Sequence, residues 1–187
     1  MEKAVSTIII PSTREEALRR CLDSLGKQTC KDFSIRVTQE KGPLAKIRNK
    51  EARQCTTRLI TFIDDDVFCT DKWFAGIVEG FKASNVAGVS GRAIVTTPFK
   101  KNRDIFRYPR IKAAYDSIFL GDKRDLPGHF TEAGAWTTGA SSSTCSYHGP
   151  VEFLEACNMT FRRDLFEKVG GFDESYAGVG DWSEPDL

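Results

Sequence analysis

Between residues 4 and 92 the chain alternates β-branched runs with segments of helical period, and that rhythm leaves few folds open to it. "AVSTIII" reads as a buried strand. In the following "PSTREEALRRCLDSLGKQ", Leu18, Cys21, Leu22 and Leu25 recur at helical spacing, Ser12 and Glu15 are spaced as a capping box, and Gly26 is a stop. "FSIRVT" is a second strand, and "PLAKIRNKEARQC" a second helix with Leu44, Ile47, Glu51 and Cys55 on related faces. "RLITFI" is a third strand, "DKWFAGIVEGFKAS" a helix burying Phe74, Ile77, Val78 and Phe81, and "VAGVSGR" a fourth strand. Strands separated by helices read as a parallel sheet covered on both faces, an α/β fold.

The rhythm breaks after Arg92. Residues 96–150 are rich in Gly, Ser, Thr and Pro and read as an excursion with little regular structure beyond one helix near "RIKAAYDSIF". Regularity returns with "VEFLEACNMTF" as a strand and "RRDLFEKV" as a helix stopped by Gly-Gly. No internal repeat is visible.

Composition excludes several classes. With 40 % apolar and 28 % charged residues the chain is neither disordered nor fibrous. A formal net charge of +1 argues against nucleic acid as a partner. No window approaches the roughly 20 apolar residues that span a bilayer, and "MEKAVSTIII" does not read as a signal peptide. The six cysteines, at 21, 30, 55, 69, 145 and 157, contain no CxxC pair and have no histidine cluster beside them. Reduced thiols in a cytoplasmic protein follow as the expectation.

The third strand ends in "LITFIDDDVFC", three adjacent carboxylates that repel one another. Either they form a solvated turn or something positive sits among them. In open α/β sheets ligands bind outside the carboxyl ends of the strands. The segments "PSTR" and "QEKG", after the first two strands, point to the same place. Carboxylates without Cys or His suit a hard cation such as Mg2+ or Mn2+, held by one or two protein groups plus water and phosphate. On an extended chain Asp64 and Asp66 share one side and can reach one ion, while Asp65 turns elsewhere, toward a hydroxyl.

Five blocks in order, "STIIIPSTREEALRRCLDSLGKQT", "GPLAKIRNKEA", "ITFIDDDVFCTDKWF", "CNMTFRRDLFEKVGGFDE" and "DWSEPDL", resemble the motifs of family 2 glycosyltransferases. The resemblance runs from Val5 to Leu187 and is weakest over 93–150. It implies a GT-A fold, a Rossmann-like three-layer sandwich with a mostly parallel central sheet. It implies one such domain over 1–187, with 1–92 binding nucleotide and 93–187 binding sugar and acceptor. The activity implied is inverting transfer from a nucleotide-diphosphate sugar, UDP-sugar first, to a hydroxyl of a glycan or lipid-linked glycan.

The resemblance also implies roles. "DDD" looks like the DxD motif, with Asp66 on the divalent metal and an earlier aspartate, Asp64 or Asp65, on ribose or sugar; Asp64 is a second candidate for the metal. Pro11, Ser12, Thr13 and Glu40 stand where the family holds the base, although most members carry Asp-Asp at Gln39-Glu40. Asn158 lines the donor sugar and acceptor pocket, whereas Met159 and Phe161 read as packing. An inverting transfer needs one carboxylate to take the acceptor proton. Glu184 aligns best with that base, Asp186 and Asp181 being the alternatives, and Trp182 can stack on a sugar face.

The basic stretch over residues 100–112 reads as a solvated face or as a contact with lipid phosphate at the cytoplasmic face of a membrane. His129 and His148 are assigned no role. The chain stops just after its acidic motif, where family members continue, which suggests a trimmed acceptor side. Two other readings compete. One is a haloacid-dehalogenase-type phosphohydrolase, against which stand Phe68 and the motif's place on the third strand; the other is a nucleotide-sugar-binding module without turnover.

Overall fold

The computed structural model describes residues 4–91, 110, 114, 117, 127–131, 136–138 and 149–176. They belong to two compact units: one holds the residues up to Gly91 and those from Ala156 on, the other the residues 92–155 between them.

The first unit is a five-stranded sheet flanked by helices. In chain order it contains β1 (Ser6–Pro11), α1 (Glu15–Gly26), β2 (Phe33–Thr38), α2 (Leu44–Ala52), β3 (Leu59–Ile63), α3 (Trp73–Gly80) and β4 (Gly88–Ser90). Then come the unit's last strand, called β7 because two strands of the second unit precede it (Asn158–Arg162), α4 (Arg163–Lys168) and a 3-10 turn (Glu174–Tyr176). The strand order is β2-β1-β3-β7-β4. Strands β1, β2 and β3 are parallel, as the alternation predicts, but β7 runs antiparallel between β3 and β4. Periodicity reports burial and not direction, so this insertion has no signature in the sequence.

Burial explains the composition of the strands. Ile8, Ile9, Ile10, Leu59, Ile60, Phe62 and Ile63 are fully buried, because β1 and β3 are covered on both faces. One face packs Ile8, Ile10 and Ile63 with Cys21 and Leu25 of α1 and Phe74 of α3. On the other, Phe62 meets Phe166 of α4 and Phe172 at ring-centroid distances of 5.5 and 5.1 Å. Burying a side chain of this size stabilises the fold by about 1.5–3 kcal/mol. A row of hydroxyls crosses the sheet inside this core: Thr61 bonds Ser6 and Thr160, each at 2.9 Å. Each buried hydroxyl therefore has a partner.

Local expectations fail in instructive places. Ser12 and Glu15 form no capping box, because α1 starts after Arg14 with no side-chain cap. The Ser12 hydroxyl is already engaged, accepting the Arg14 N–H at 3.1 Å and donating to Asp65. The strand read over 151–161 is only Asn158–Arg162, since Glu152 and Phe153 instead donate backbone N–H groups to the Gly128 carbonyl. Gly170 and Gly171 do stop α4, both at positive φ, and a Cβ on Gly171 would lie 2.5 Å from the Asn49 amide oxygen.

The second unit contains a hairpin, β5 (Pro127–Phe130) with β6 (Trp136–Thr138), inside the stretch read as irregular. "PGHF" has no alternating pattern, and a register shift after Pro127 hides the strand further. The helix expected near "RIKAAYDSIF" lies largely outside the described residues.

Candidate functional site

The acidic segment sits at the carboxyl edge of β3, in a turn rather than an extended chain. Val67 N–H donates to the Asp64 carbonyl at 3.3 Å, and Asp64 N–H donates to the Cys157 carbonyl, also at 3.3 Å. In a turn the two-residue alternation of an extended chain does not apply, so the shared side expected for Asp64 and Asp66 does not follow from their spacing. Asp64 meets Arg48, while Asp65 and Asp66 share Arg14.

Asp64 pairs with Arg48 of α2 at 2.9 Å. Arg48 is 5 % exposed, donates also to the Ala156 carbonyl at 3.1 Å, and lies 5.9 Å from the ring centroids of both Phe62 and Phe172. Burial raises the Asp64 carboxyl above the ordinary range; Arg48 pulls against this, and the neighbouring aspartates add to it.

Asp65 turns into the protein, 3 % exposed, and does meet a hydroxyl, that of Ser12. Arg14 grips it with two donors, Nη2 on Oδ1 and Nε on Oδ2, the latter at 3.3 Å. The ends of β1 and β3 are thereby tied together, and the bonds to Asp65 hold the Arg14 guanidinium firmly charged. Asp66 is the outermost of the three, its side chain 56 % exposed, with Arg14 Nη2 at 3.1 Å from Oδ2.

The remaining residues of the edge follow from strand register. Pro11 pairs with Thr38, and Ser12 N–H donates to the Thr38 carbonyl at 2.9 Å, which sets the "PST" loop beside the end of β2. Glu40, just beyond, is exposed and paired with Lys50 of α2. Because β7 is antiparallel, its first residue rather than its last reaches this edge, and Asn158 pairs with Ile63. The Asn158 amide oxygen accepts from the Trp73 indole N–H at 3.0 Å, and its carbonyl accepts from the Ser90 hydroxyl at 2.6 Å. Met159 is buried and Phe161 packs in the phenylalanine cluster, as read.

The edge thus brings together Pro11, Ser12, Asp64, Asp65, Asp66 and Asn158, with Thr13 and Glu40 adjoining. Asp181, Trp182, Glu184 and Asp186 lie outside the described residues, as do His148 and all of the basic stretch except Arg110. Sequence reasoning brought Arg14 to this edge within "PSTR" but gave it no role, and it missed Arg48 and Trp73. For Arg48 a signal existed: it stands among Ile47, Glu51 and Ala52 on the buried face of α2, where an arginine needs a partner.

The donor set suits a hard divalent cation. Asp66 offers an exposed carboxylate oxygen, although two guanidiniums already answer part of the negative charge of the turn and oppose a further cation. Among the described residues no three His, Cys, Asp or Glu side chains converge to cage an ion. An ion here would rest on one or two carboxylates, with substrate phosphate completing its shell.

A hollow of about 640 Å3 opens at the opposite edge, beside Val5, Thr56, Arg58, Arg162, Arg163 and Asp164. It holds none of the residues singled out above. Two of its arginines are bound to backbone, Arg162 to the carbonyls of Phe81, Ala83 and Val86, and Arg163 to that of Thr57.

Comparison with known proteins agrees with this architecture. A glucosyl-dolichyl phosphate glucuronosyltransferase of Haloferax volcanii is 23 % identical over 180 residues, covering 93 % of this chain and 48 % of that protein. Mannosyltransferase PcManGT from Pyrobaculum calidifontis, solved with GDP-Man and Mn2+, superposes with a TM-score of 0.52 at 15 % identity, over 90 % of this chain and 47 % of that one. TarS 1-349 from S. aureus superposes with a TM-score of 0.50 at 14 % identity, over 94 % and 52 % of the two chains. The chain therefore spans about half the length of these relatives. These structures share its fold, a mixed α/β sandwich of the GT-A kind. Residues 31–170 match the family described as glycosyl transferase family 2, and the chain belongs to that family.

Proposed function

We propose that the chain carries the donor-binding machinery of an inverting glycosyltransferase that uses a nucleotide-diphosphate sugar. The observation that supports this best is the acidic turn itself. Asp65 is locked to the end of β1 by Ser12 and Arg14, while Asp66 stays half in water at the edge where α/β folds bind ligands.

In this reading Pro11, Ser12, Thr13 and Glu40 hold the base, Asp64 and Asn158 the donor sugar, and Asp65, turned inward onto Ser12 and Arg14, positions the loop that meets the ribose rather than holding the ribose itself. Asp66 holds a divalent cation, Mg2+ or Mn2+, with Asp64 within its reach through water. When bound, the cation neutralises the diphosphate as it leaves. Glu184, with Asp186 as the alternative, takes the proton of the acceptor hydroxyl while that oxygen bonds the anomeric carbon. The bond from that carbon to the phosphate oxygen breaks, and the nucleoside diphosphate departs with the electron pair, inverting the centre. Trp182 stacks on the acceptor.

A lipid-linked glycan is the acceptor class suggested by the Haloferax relative, whose name specifies a glucosyl-dolichyl phosphate. Residues 100–112 would meet the phosphate of such a lipid or the cytoplasmic face of a membrane; no helix among the described residues is long and apolar enough to cross one. Membership of the family sets the phosphohydrolase reading aside.

A melting-temperature panel of nucleoside diphosphates with and without Mn2+ tests the proposal, since a ligand of the native state raises Tm by mass action. UDP with Mn2+ should give the largest rise. A larger rise with GDP would keep the transferase reading and move the donor to the nucleotide held by the Pyrobaculum enzyme. No rise with any diphosphate would refute donor binding.

A further inference from the structure

Arg14 reaches two carboxylates that differ sharply in environment. The Asp65 side chain is 5 % exposed and is gripped by two donors; the Asp66 side chain is 56 % exposed and accepts a single one, at 3.1 Å. The backbone of Arg14 is pinned as well. Its N–H donates to the Ser12 hydroxyl at 3.1 Å, and its carbonyl accepts the Leu18 N–H at 3.0 Å at the start of α1. The grip on buried Asp65 holds the guanidinium at the turn, and its outer contact, between two half-exposed groups, is the more readily exchanged.

We propose that Arg14 is a tethered cation that competes with the divalent ion for Asp66, so that metal is held well only together with the nucleoside diphosphate. This rests on the reading of Asp66 as a metal ligand. A divalent ion approaching Asp66 either displaces Arg14 Nη2 from Oδ2 or takes the other oxygen, and in both cases it stands close to a tethered positive charge, which opposes it. The diphosphate reverses the balance: its charge offsets both cations, and its oxygens fill the ion's coordination shell. Arg14 keeps its grip on Asp65 throughout. It is a positioning residue, and metal affinity without nucleotide reports on it directly.

The test is Mn2+ binding to the protein alone, followed by the loss of the free-ion electron paramagnetic resonance signal, in the wild type and in Arg14→Gln, Arg14→Lys and Asp66→Ala. Arg14→Gln should bind Mn2+ about three- to tenfold more tightly than the wild type, the size expected for removing one exposed competing charge. Arg14→Lys, which keeps the charge but not the fork, should stay near the wild type. Equal or weaker binding in Arg14→Gln, with Asp66→Ala unable to bind, would overturn the competition and leave the metal assignment standing. No binding by wild type or Arg14→Gln, with or without UDP, would overturn both. Should Arg14→Gln fail to fold, the wild type supplies the answer. Titration with Mg2+ should shift the Arg14 Nη resonances, which include the contact with Asp66, and Nη resonances unmoved at saturation would sink the proposal.

Discussion

The two edges of the sheet use arginine with different emphasis. At the carboxyl edge Arg14 and Arg48 face carboxylates, and one of these, Asp66, remains open to solvent. At the amino edge Arg162 faces three carbonyls, and Arg163 faces one besides its ion pair with Glu167, tying the end of β7 to the residues after α3 and before β3. Charge that answers charge leaves a site able to exchange partners. Charge that answers backbone dipoles holds structure, however inviting the hollow around it.

Turnover should separate the edges most. Glu184→Gln, which removes the proposed base, should cut the rate by about 10²–10⁴-fold while keeping donor affinity. Asp66→Ala should abolish the Mn2+-dependent part of nucleotide binding, with a rate loss on the order of 10²–10³-fold. Arg58→Ala at the amino edge should leave the rate of nucleoside diphosphate release as it is. A dead Arg58→Ala enzyme that is still folded would erase the distinction.

Stability should show the next largest difference. Arg48→Met leaves Asp64 without its buried cation and should cost about 2–4 kcal/mol in urea unfolding. Arg162→Ala removes the side-chain donor from three carbonyls and should cost about 1–3 kcal/mol, with donor binding unchanged. If Arg162→Ala weakens nucleotide binding in a folded protein, the amino edge is more than scaffold.

The pH dependence is subtler. Because burial raises the Asp64 carboxyl, the folded chain keeps a proton that the unfolded chain has already lost. That contribution to stability is present below the unfolded carboxyl range and is lost as pH rises through the folded value. Arg48→Met should deepen this loss, seen as a steeper fall in Tm with pH above about 4; an unchanged slope would mean that Arg48 does not hold Asp64 ionised.

Smallest of all should be thiol reactivity. Burial pushes the thiols of Cys21 and Cys69 up to about 12. Neither should be alkylated by iodoacetamide at pH 8 in the folded protein, and labelling of either, read by mass spectrometry, would mean that the core beneath the acidic turn opens.

The sequence by itself determined the strands and helices of the first unit, because its β-branched runs and helical spacing record burial residue by residue. "FSIRVT" is β2 end to end, and "LITFI" is β3. It also marked the acidic turn as the place for chemistry, since three like charges after a buried strand point either to a solvated turn or to an answering charge. Only the tertiary structure decided what answers them. Arg14 is 51 residues from Asp65 and Arg48 is 16 from Asp64, and spacing along the chain says nothing about such meetings. The same holds for β7: its pattern marks it as a strand, but pairing with β3 across 95 to 103 positions makes it antiparallel and brings Asn158 to the site. Local periodicity follows from which face of an element is buried, while partners and directions follow from how the elements dock.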